Sequence, residues 1–256
     1  MYTDEQFDQL EQEQFSLTEE ALAILLLALG INHDSLEREV TTFYHKYGDN
    51  GVVTYSDARK WVSNKDHRRR LVVLYSFIWD MFDVSFVDFE SKFRNHLIDI
   101  VESEIKFFGL EPSLFDIDKI LDTSWGVDDL TWSQRLLAYQ DKWSPLLSND
   151  LKVSFIRRDN LIDALESLDG RFTSMEKILK RLYVTESTAV SSITRREIFK
   201  HLGISHFRFY TREDEKTCEH CGSLHGLVFP ISAYEVGVTA PPVHSNCRCQ
   251  TIPILD

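Results

Sequence analysis

All four cysteines of this 256-residue chain lie in two short segments near its C-terminus. Cys218 and Cys221 form a Cys-x-x-Cys pair in TCEHCG, and Cys247 and Cys249 form a Cys-x-Cys pair in PPVHSNCRCQ, with 25 residues between the inner cysteines. Such pairs can bind a metal ion, form disulfides or a redox pair, or remain structural thiols. The metal interpretation requires a fold that brings the two segments together.

The residue types favour a structural zinc site. Zn²⁺ prefers a tetrahedron of Cys and His ligands, and the Cys-x-x-Cys pair supplies two of them. Cys-x-Cys at strand spacing points its two side chains to opposite faces, so an extended backbone would bring only one of them to the ion. His244 competes for the fourth position. We therefore expect zinc to be bound by ligands drawn from Cys218, Cys221, Cys247, Cys249 and His244.

The N-terminal sequence disfavours disulfides. MYTDEQFDQLEQEQF is acidic and lacks the basic segment that begins a secretory signal, so we expect a reducing compartment, where stable disulfides are rare. The longest uncharged apolar run, residues 21–30, is shorter than the roughly 20 residues that cross a bilayer. It predicts a buried core helix and no membrane association.

Catalytic motifs are absent from the sequence. A zinc deaminase requires His-x-Glu and an open coordination position, whereas His244 is followed by Ser and Asn. The chain also lacks a Gly-rich phosphate loop, a nucleophile elbow and His-Glu-x-x-His. We therefore expect that the protein is not an enzyme.

The region before Gly203 has the pattern of helices. Three capping boxes predict helix starts at Ser16 with Glu19, at Thr131 with Gln134 and at Thr173 with Glu176. Gly30 and Gly203 predict the ends of the first and last of these helices, and Pro145 predicts an interruption of the second.

Two further features of this region concern its core. Aromatic residues are dense between residues 75 and 143 without interleaved Lys and Arg, which favours helix packing over stacking on nucleic-acid bases. Glu186 falls on the apolar stripe of the last predicted helix. A carboxylate there is either paired within the core or placed at the edge of the helix.

After Gly203 the periodicity changes from helical to alternating. SHFRFYTRED, GLVFPI and CQTIPIL are strand candidates separated by Gly and Pro. The expected fold class is α+β, with a mainly α-helical N-terminal body followed by a small β-rich Cys/His module packed on a long helix.

The run DEKTCEHCGSLHGLVFP…APPVHSNCRCQTIPI resembles the C-terminal module of phage Mu F-like head morphogenesis proteins, the minor head proteins of tailed phages and prophages. The residues that fit the family pattern are Asp214, Thr217, Cys218, Cys221, Leu224, Gly226, Pro241, Pro242, His244, Asn246, Cys247, Arg248 and Cys249. A weaker resemblance extends upstream to about residue 110, although Val184 stands where the family pattern has Arg. We therefore expect two domains, the helical body of a minor head protein over residues 1–172 and a Mu F-like C-terminal module over residues 173–256. For the first hundred residues, this expectation depends on composition and periodicity alone.

The resemblance also implies a role in assembly. Such proteins associate with the portal protein and with capsid or scaffold proteins inside the procapsid, are packaged in the virion head after assembly in the host cytoplasm, and are linked to DNA packaging or ejection. A net charge of −13 argues against extensive binding of DNA through its phosphates. Packaged DNA stays a candidate partner through local contacts. The alternative is a phage-borne effector, toxin or zinc-dependent enzyme that carries a Mu F-like module.

Overall fold

The computed structural model describes residues 3–63, 68–212, 214–215 and 217–255, and the α+β expectation is confirmed. The helices are α1 (Asp4–Tyr47), α2 (Tyr55–Ala58), α3 (Arg70–Phe107), α4 (Ile117–Leu121), α5 (Trp132–Arg157), α6 (Leu161–His201) and α7 (Glu219–Leu224). The strands are β1 (His206–Tyr210), β2 (Val228–Pro230) and β3 (Gln250–Ile254). Two 3-10 turns cover Pro112–Leu114 and Ile231–Ala233.

The strands form one antiparallel sheet in the order β2-β1-β3. Phe207 in β1 lies opposite Phe229 in β2 and Pro253 in β3. Phe207 and Phe209 are fully buried, as the alternating sequence pattern predicts. Each of the three predicted strand segments contains one strand, so this part of the prediction is confirmed.

The chain divides into two compact units that are not continuous in sequence. Unit 1 consists of Met1–Leu22, Lys92–Arg135 and Leu179–Asp256, and unit 2 consists of Ala23–Ser91 and Leu136–Ile178. Unit 1 contains the sheet and all four cysteines. The sequence predicts a domain boundary between residues 172 and 173. The division into two units does not test this boundary, which stays a prediction.

The helix starts predicted from capping boxes are correct at one place and wrong at two. At Thr131, the backbone N–H donates to Gln134 Oε1 at 2.9 Å, and the Gln134 N–H donates to Thr131 Oγ1 at 3.3 Å, directly before α5. By contrast, α1 passes through Ser16 and α6 passes through Thr173. A capping side chain satisfies exposed N–H groups at a helix end, but it does not stop a helix whose preceding turns also bury apolar residues.

Of the predicted helix ends and interruptions, one is confirmed and two are wrong. Gly203 follows α6 with a φ of 70°, the left-handed conformation that glycine adopts easily, so this predicted end is confirmed. Gly30 lies within α1, and Pro145 lies within α5, so the predicted end and the predicted interruption are both wrong. A proline removes one backbone donor, and the tertiary packing of the residues around it can outweigh that loss.

The apolar run at residues 21–30 is buried on one face only. Leu25 and Leu29 lie in the core as expected, but Ile24 is 52% exposed and Leu27 is 68% exposed, so the predicted core helix contributes only one face to the core. By length and composition, α1 is also the one helix within the described ranges that contains an 18-residue window apolar enough to cross a bilayer, with a mean hydropathy of 1.5. Helices of soluble proteins meet the same criterion.

The core of unit 2 combines aliphatic side chains with aromatic rings from its helices. Phe82 contacts Trp143 edge-on at 5.8 Å between ring centroids and stacks with Phe172 at 6.4 Å. Phe43 stacks with Phe155 at 5.5 Å. In unit 1, Phe93 stacks on Tyr183 at 3.8 Å. The aromatic-rich segment is therefore used for helix packing, as predicted.

A buried ion pair lies at the centre of unit 1. The guanidinium of Arg195 in α6 contacts both carboxylate oxygens of Glu104 in α3, and both side chains are almost fully buried. Gln14 and Ser191 also donate hydrogen bonds to Glu104. Because a buried charge without partners is very costly, this carboxylate requires several donors.

The same guanidinium joins α6 to the sheet and to the N-terminal helix. Its Nη1 donates to the Thr251 carbonyl oxygen at 2.9 Å and to Gln250 Oε1 at 3.1 Å. The Gln250 amide in turn donates to the Phe7 carbonyl oxygen at 3.0 Å, and the Phe7 ring lies 5.2 Å from the guanidinium. Arg195 thus connects α1, α3, α6 and β3 of unit 1.

We expect Arg195→Ala to lower the free energy of unfolding by about 3–5 kcal/mol, because it leaves the Glu104 carboxylate buried without its charge partner. The matched control is Arg196→Ala, which removes a neighbouring, partly exposed pair with Glu197 and should cost less than about 1 kcal/mol. Urea denaturation followed by circular dichroism measures both values. Equal losses in the two variants would contradict the central role of Arg195.

Candidate metal centre

The first cysteine pair is positioned by the start of α7. Cys218 caps this short helix, and the Cys221 N–H donates to Cys218 Sγ at 3.4 Å. One helical turn therefore brings both sulfur atoms to the same side of the loop. The return to the sheet requires Gly226, whose φ is 77° and whose N–H donates to the Phe209 carbonyl oxygen at 2.9 Å.

The second loop orients the histidine. His244 Nδ1 lies 2.8 Å from the Ser245 carbonyl oxygen, so this nitrogen carries the proton and donates it. The Nε2 atom is then left with a free lone pair, as a metal ligand requires. The Cys247 N–H donates to the His244 carbonyl oxygen at 3.2 Å, which closes the turn between the two residues.

The two loops meet in one cluster. His244 Nε2 lies 3.3 Å from Cys218 Sγ and 3.1 Å from Cys221 Sγ, and Cys221 Sγ lies 3.9 Å from Cys247 Sγ. Tetrahedral zinc with Zn–S bonds of about 2.3 Å has ligand atoms about 3.5–3.8 Å apart. These separations agree with that geometry within a few tenths of an ångström.

All five residues predicted from the sequence lie in this cluster, as two groups that share Cys221. One group contains Cys218, Cys221 and His244, and the other contains Cys221, Cys247 and Cys249; within each, the donor atoms lie within 4.8 Å of one another. Cys218 and His244 are exposed, whereas the other three cysteines are buried. The cluster can therefore hold a metal ion at the boundary between the protein interior and solvent.

The electrostatics of the thiols follow from their hydrogen bonds. The N–H of Cys221 lowers the pKa of Cys218. The thiol of Cys249 donates to Cys247 and lowers the pKa of Cys247 to about 5, and the same bond together with burial raises the pKa of Cys249. Burial raises the pKa of Cys221 to about 12. Negative charge in the metal-free cluster is therefore favoured on Cys218 and Cys247.

His244 responds to that negative charge. Burial by itself would lower its pKa, but the Ser245 carbonyl and the nearby Cys247 and Cys218 outweigh this effect and raise the pKa. A proton or a metal ion on Nε2 is thus stabilised by the two sulfur atoms. In the metal-free protein, the negative charge of the cluster already attracts a cation, before a bound metal ion deprotonates the remaining ligands.

An ion pair also links the two loops. Arg248 donates to Asp214 Oδ1 at 2.7 Å and to Oδ2 at 2.8 Å. Asp214 also accepts a hydrogen bond from the Thr217 hydroxyl at 3.2 Å, directly before the first cysteine. Arg248 and Asp214 therefore support the metal centre from outside the group of donor atoms.

The second loop is attached to α6. The Thr188 hydroxyl donates to the Cys247 carbonyl oxygen at 3.0 Å, and the Asn246 N–H donates to Thr185 Oγ1 at 3.1 Å. Asn246 has a φ of 59°, which Asn tolerates better than most residues. Thr188 was not identified from the sequence, although it lies on the same helix face as Thr185, three residues later.

Glu186, predicted to need a partner, is paired within the core. It is 1% exposed and accepts hydrogen bonds from Trp125 Nε1 at 2.9 Å and from Arg135 Nη1 at 3.0 and 3.2 Å. Burial raises the pKa of Glu186, and the charge of Arg135 opposes this rise. The structure therefore assigns Arg135 as the partner, a residue 51 positions away that the periodicity of α6 does not indicate.

The other two histidines near the first loop lie outside the donor groups. The two donor groups at this site contain neither His220 nor His225. His225 Nδ1 accepts a hydrogen bond from the Thr211 N–H at 3.2 Å, so it supports the loop backbone.

Comparison with known proteins found a family model that matches the part of the chain containing this cluster. Residues 156–252 match the family model described as Phage Mu protein F like protein. Neither the comparison with curated proteins nor that with solved structures gave a significant match. The matched residues include α6, β1, β2, the start of β3, both cysteine loops and all five candidate ligands.

In reduced, metal-free protein at pH 7, we expect iodoacetamide to alkylate Cys218 first, because it is exposed and its lowered pKa increases its thiolate fraction. Added zinc should slow this reaction. Peptide mapping by mass spectrometry gives the rate at each cysteine, and Cys218→Ser serves as the control. Faster alkylation of buried Cys249 than of Cys218 would contradict the prediction.

Proposed function

We propose that this protein, whose residues 156–252 form a phage Mu F-like region, is a minor head protein of a tailed phage or prophage that acts in head morphogenesis and not as an enzyme. The observation that carries the proposal is the position of the cysteine cluster. It lies within the Mu F-like region, and the polar groups around it bond to the protein itself. Such an arrangement favours a structural role for the cluster.

The ion that we propose is Zn²⁺, held in a closed shell. Thiolates and imidazole are its usual structural ligands, and the donor groups at this site contain only Cys and His within the described residues. When bound, the ion would supply a cross-link between the two loops. His244, Cys218, Cys221 and one sulfur atom of the second loop would hold it, while Asp214 and Arg248 stabilise the loops around them.

We further propose Cys218, Cys221, His244 and Cys247 as the four ligands, a set that requires the two groups of three donors to close around the ion, since only Cys221 belongs to both. The 3.9 Å separation between the sulfur atoms of Cys221 and Cys247 corresponds to one edge of a zinc tetrahedron. Cys249 instead lines a small cavity of about 50 Å³ together with residues of α1 and α6. Because Cys249 also lies beside Cys247 in the second donor group, its role would be to support that ligand.

The proposed partners are the portal protein and the capsid or scaffold proteins, with the virion head as the location. The family match supports association with head proteins. A net charge of −13 favours contact with protein surfaces over extensive contact with packaged DNA, whose phosphates would repel it.

The ligand assignment predicts different outcomes for two neighbouring cysteines. Cys247→Ser should remove most of the bound zinc, whereas Cys249→Ser should retain about one zinc per chain, because only the first change removes a ligand. Inductively coupled plasma mass spectrometry on protein purified under reducing conditions measures the metal content. Zinc retained by Cys247→Ser and lost by Cys249→Ser would reverse the assignment, and zinc-free wild-type protein would exclude the site.

The assembly role predicts that the chain is part of the particle. Co-expression with the portal protein of the same phage or prophage should give a complex that elutes as one species in size-exclusion chromatography. A structural protein should also be detected by mass spectrometry in purified heads. Zinc-bound wild-type protein that fails to bind portal and is absent from heads would contradict the assembly role while leaving the metal site intact.

A further inference from the structure

A second group of metal-binding side chains lies in unit 2, outside the Cys/His cluster. His33 and Glu37 are four residues apart on α1, so they lie on one face of that helix, and Asp169 belongs to α6. His33 Nε2 lies 2.8 Å from Asp169 Oδ1 and 4.0 Å from Glu37 Oε1. One donor atom from each residue lies within 4.8 Å of the other two.

The imidazole is held in place by packing. Its ring lies against the ring of Phe172, with centroids 4.5 Å apart and an angle of 32° between the planes. The Nε2 atom is buried, and it lies 2.8 Å from Asp169 Oδ1 at an angle that does not suit a hydrogen bond. A nitrogen beside two carboxylates is an arrangement that can bind either a proton or a metal cation.

Space for an ion and its water ligands is present beside the histidine. A surface cavity of about 450 Å³ is lined by His33, Asp169 and Phe172, together with Gly30, Thr173 and Glu176. Gly30 has no atom within 4 Å of the position that a Cβ would occupy, so the helix surface is open at this point. The cavity allows solvent molecules to complete a coordination shell.

We propose that His33, Glu37 and Asp169 bind a divalent first-row transition metal ion, with Zn²⁺ as the reference ion, at a site independent of the cysteine cluster. Bonds of about 2.0–2.2 Å to imidazole and carboxylate place ligand atoms about 2.8–3.6 Å apart. The 2.8 Å distance already falls in this range, and a small rotation of the Glu37 side chain shortens the 4.0 Å distance.

The donor set gives this site a different character from the first. It contains one nitrogen and two carboxylates and lacks thiolates, so it suits Zn²⁺, Co²⁺, Ni²⁺, Fe²⁺ or Mn²⁺. Three protein ligands leave positions for water or for a carboxylate of another molecule. The bound ion would therefore exchange readily, in contrast to an ion enclosed by four protein ligands.

Isothermal titration of Zn²⁺ into the full chain, prepared with its cysteine site already occupied, tests the proposal. Wild-type protein should bind one additional equivalent. His33→Ala and Asp169→Asn should each weaken this binding at least about tenfold, a change of roughly 1.4 kcal/mol. The matched control is His45→Ala, which removes an exposed histidine of the same helix and should bind as wild type does.

Titration with Co²⁺ distinguishes the two sites. Cobalt at the cysteine site gives sulfur-to-metal charge-transfer absorption in the near ultraviolet, whereas cobalt bound by His33, Glu37 and Asp169 lacks it. A second equivalent that produces no charge-transfer band, and that is lost in Asp169→Asn with unchanged helicity, supports the proposal. Wild-type protein that binds no second equivalent, or His33→Ala that binds it unchanged, overturns the proposal and leaves these residues as an ion pair between helices.

Discussion

The ion pair between Arg195 and Glu104 is the interaction on which the rest of unit 1 depends. Burying two charges is favourable only when their remaining hydrogen-bonding groups also find partners. Arg195 meets this requirement by bonding to the backbone of β3 and to Gln250, whose amide reaches the backbone of α1. A single desolvated charge thus determines where the sheet lies relative to the three long helices of this unit.

The sheet and the Cys/His cluster also depend on α6. A sheet of three short strands buries too little apolar surface to be stable without further support. Thr185 and Thr188 bond to the backbone of the second cysteine loop, and Arg195, two turns further along the helix, bonds to β3. The helix therefore holds one side of the module, and the Cys/His cluster joins its two loops on the other.

Local sequence patterns correctly predicted the structural features that depend on interactions between residues close in the chain. The capping box at Thr131, the end of α6 at Gly203 and the three strands were correct because turn chemistry and alternation act over a few residues. The predicted starts at Ser16 and Thr173 failed because packing of the preceding turns outweighs a capping preference. For the Cys/His cluster, the spacing identified five candidate donors, but it did not show that they form two groups that share Cys221.

Sequence patterns were sufficient to predict the α+β class, the strands, the five candidate donors and the need of Glu186 for a partner. The pairs of Glu186 with Arg135, of Glu104 with Arg195 and of Asp169 with His33 became visible only in the folded chain. The two members of each pair are far apart in the sequence. Spacing and periodicity report on residues within a few turns of each other, whereas a buried charge is neutralised by whichever side chain the packing of long helices brings to it.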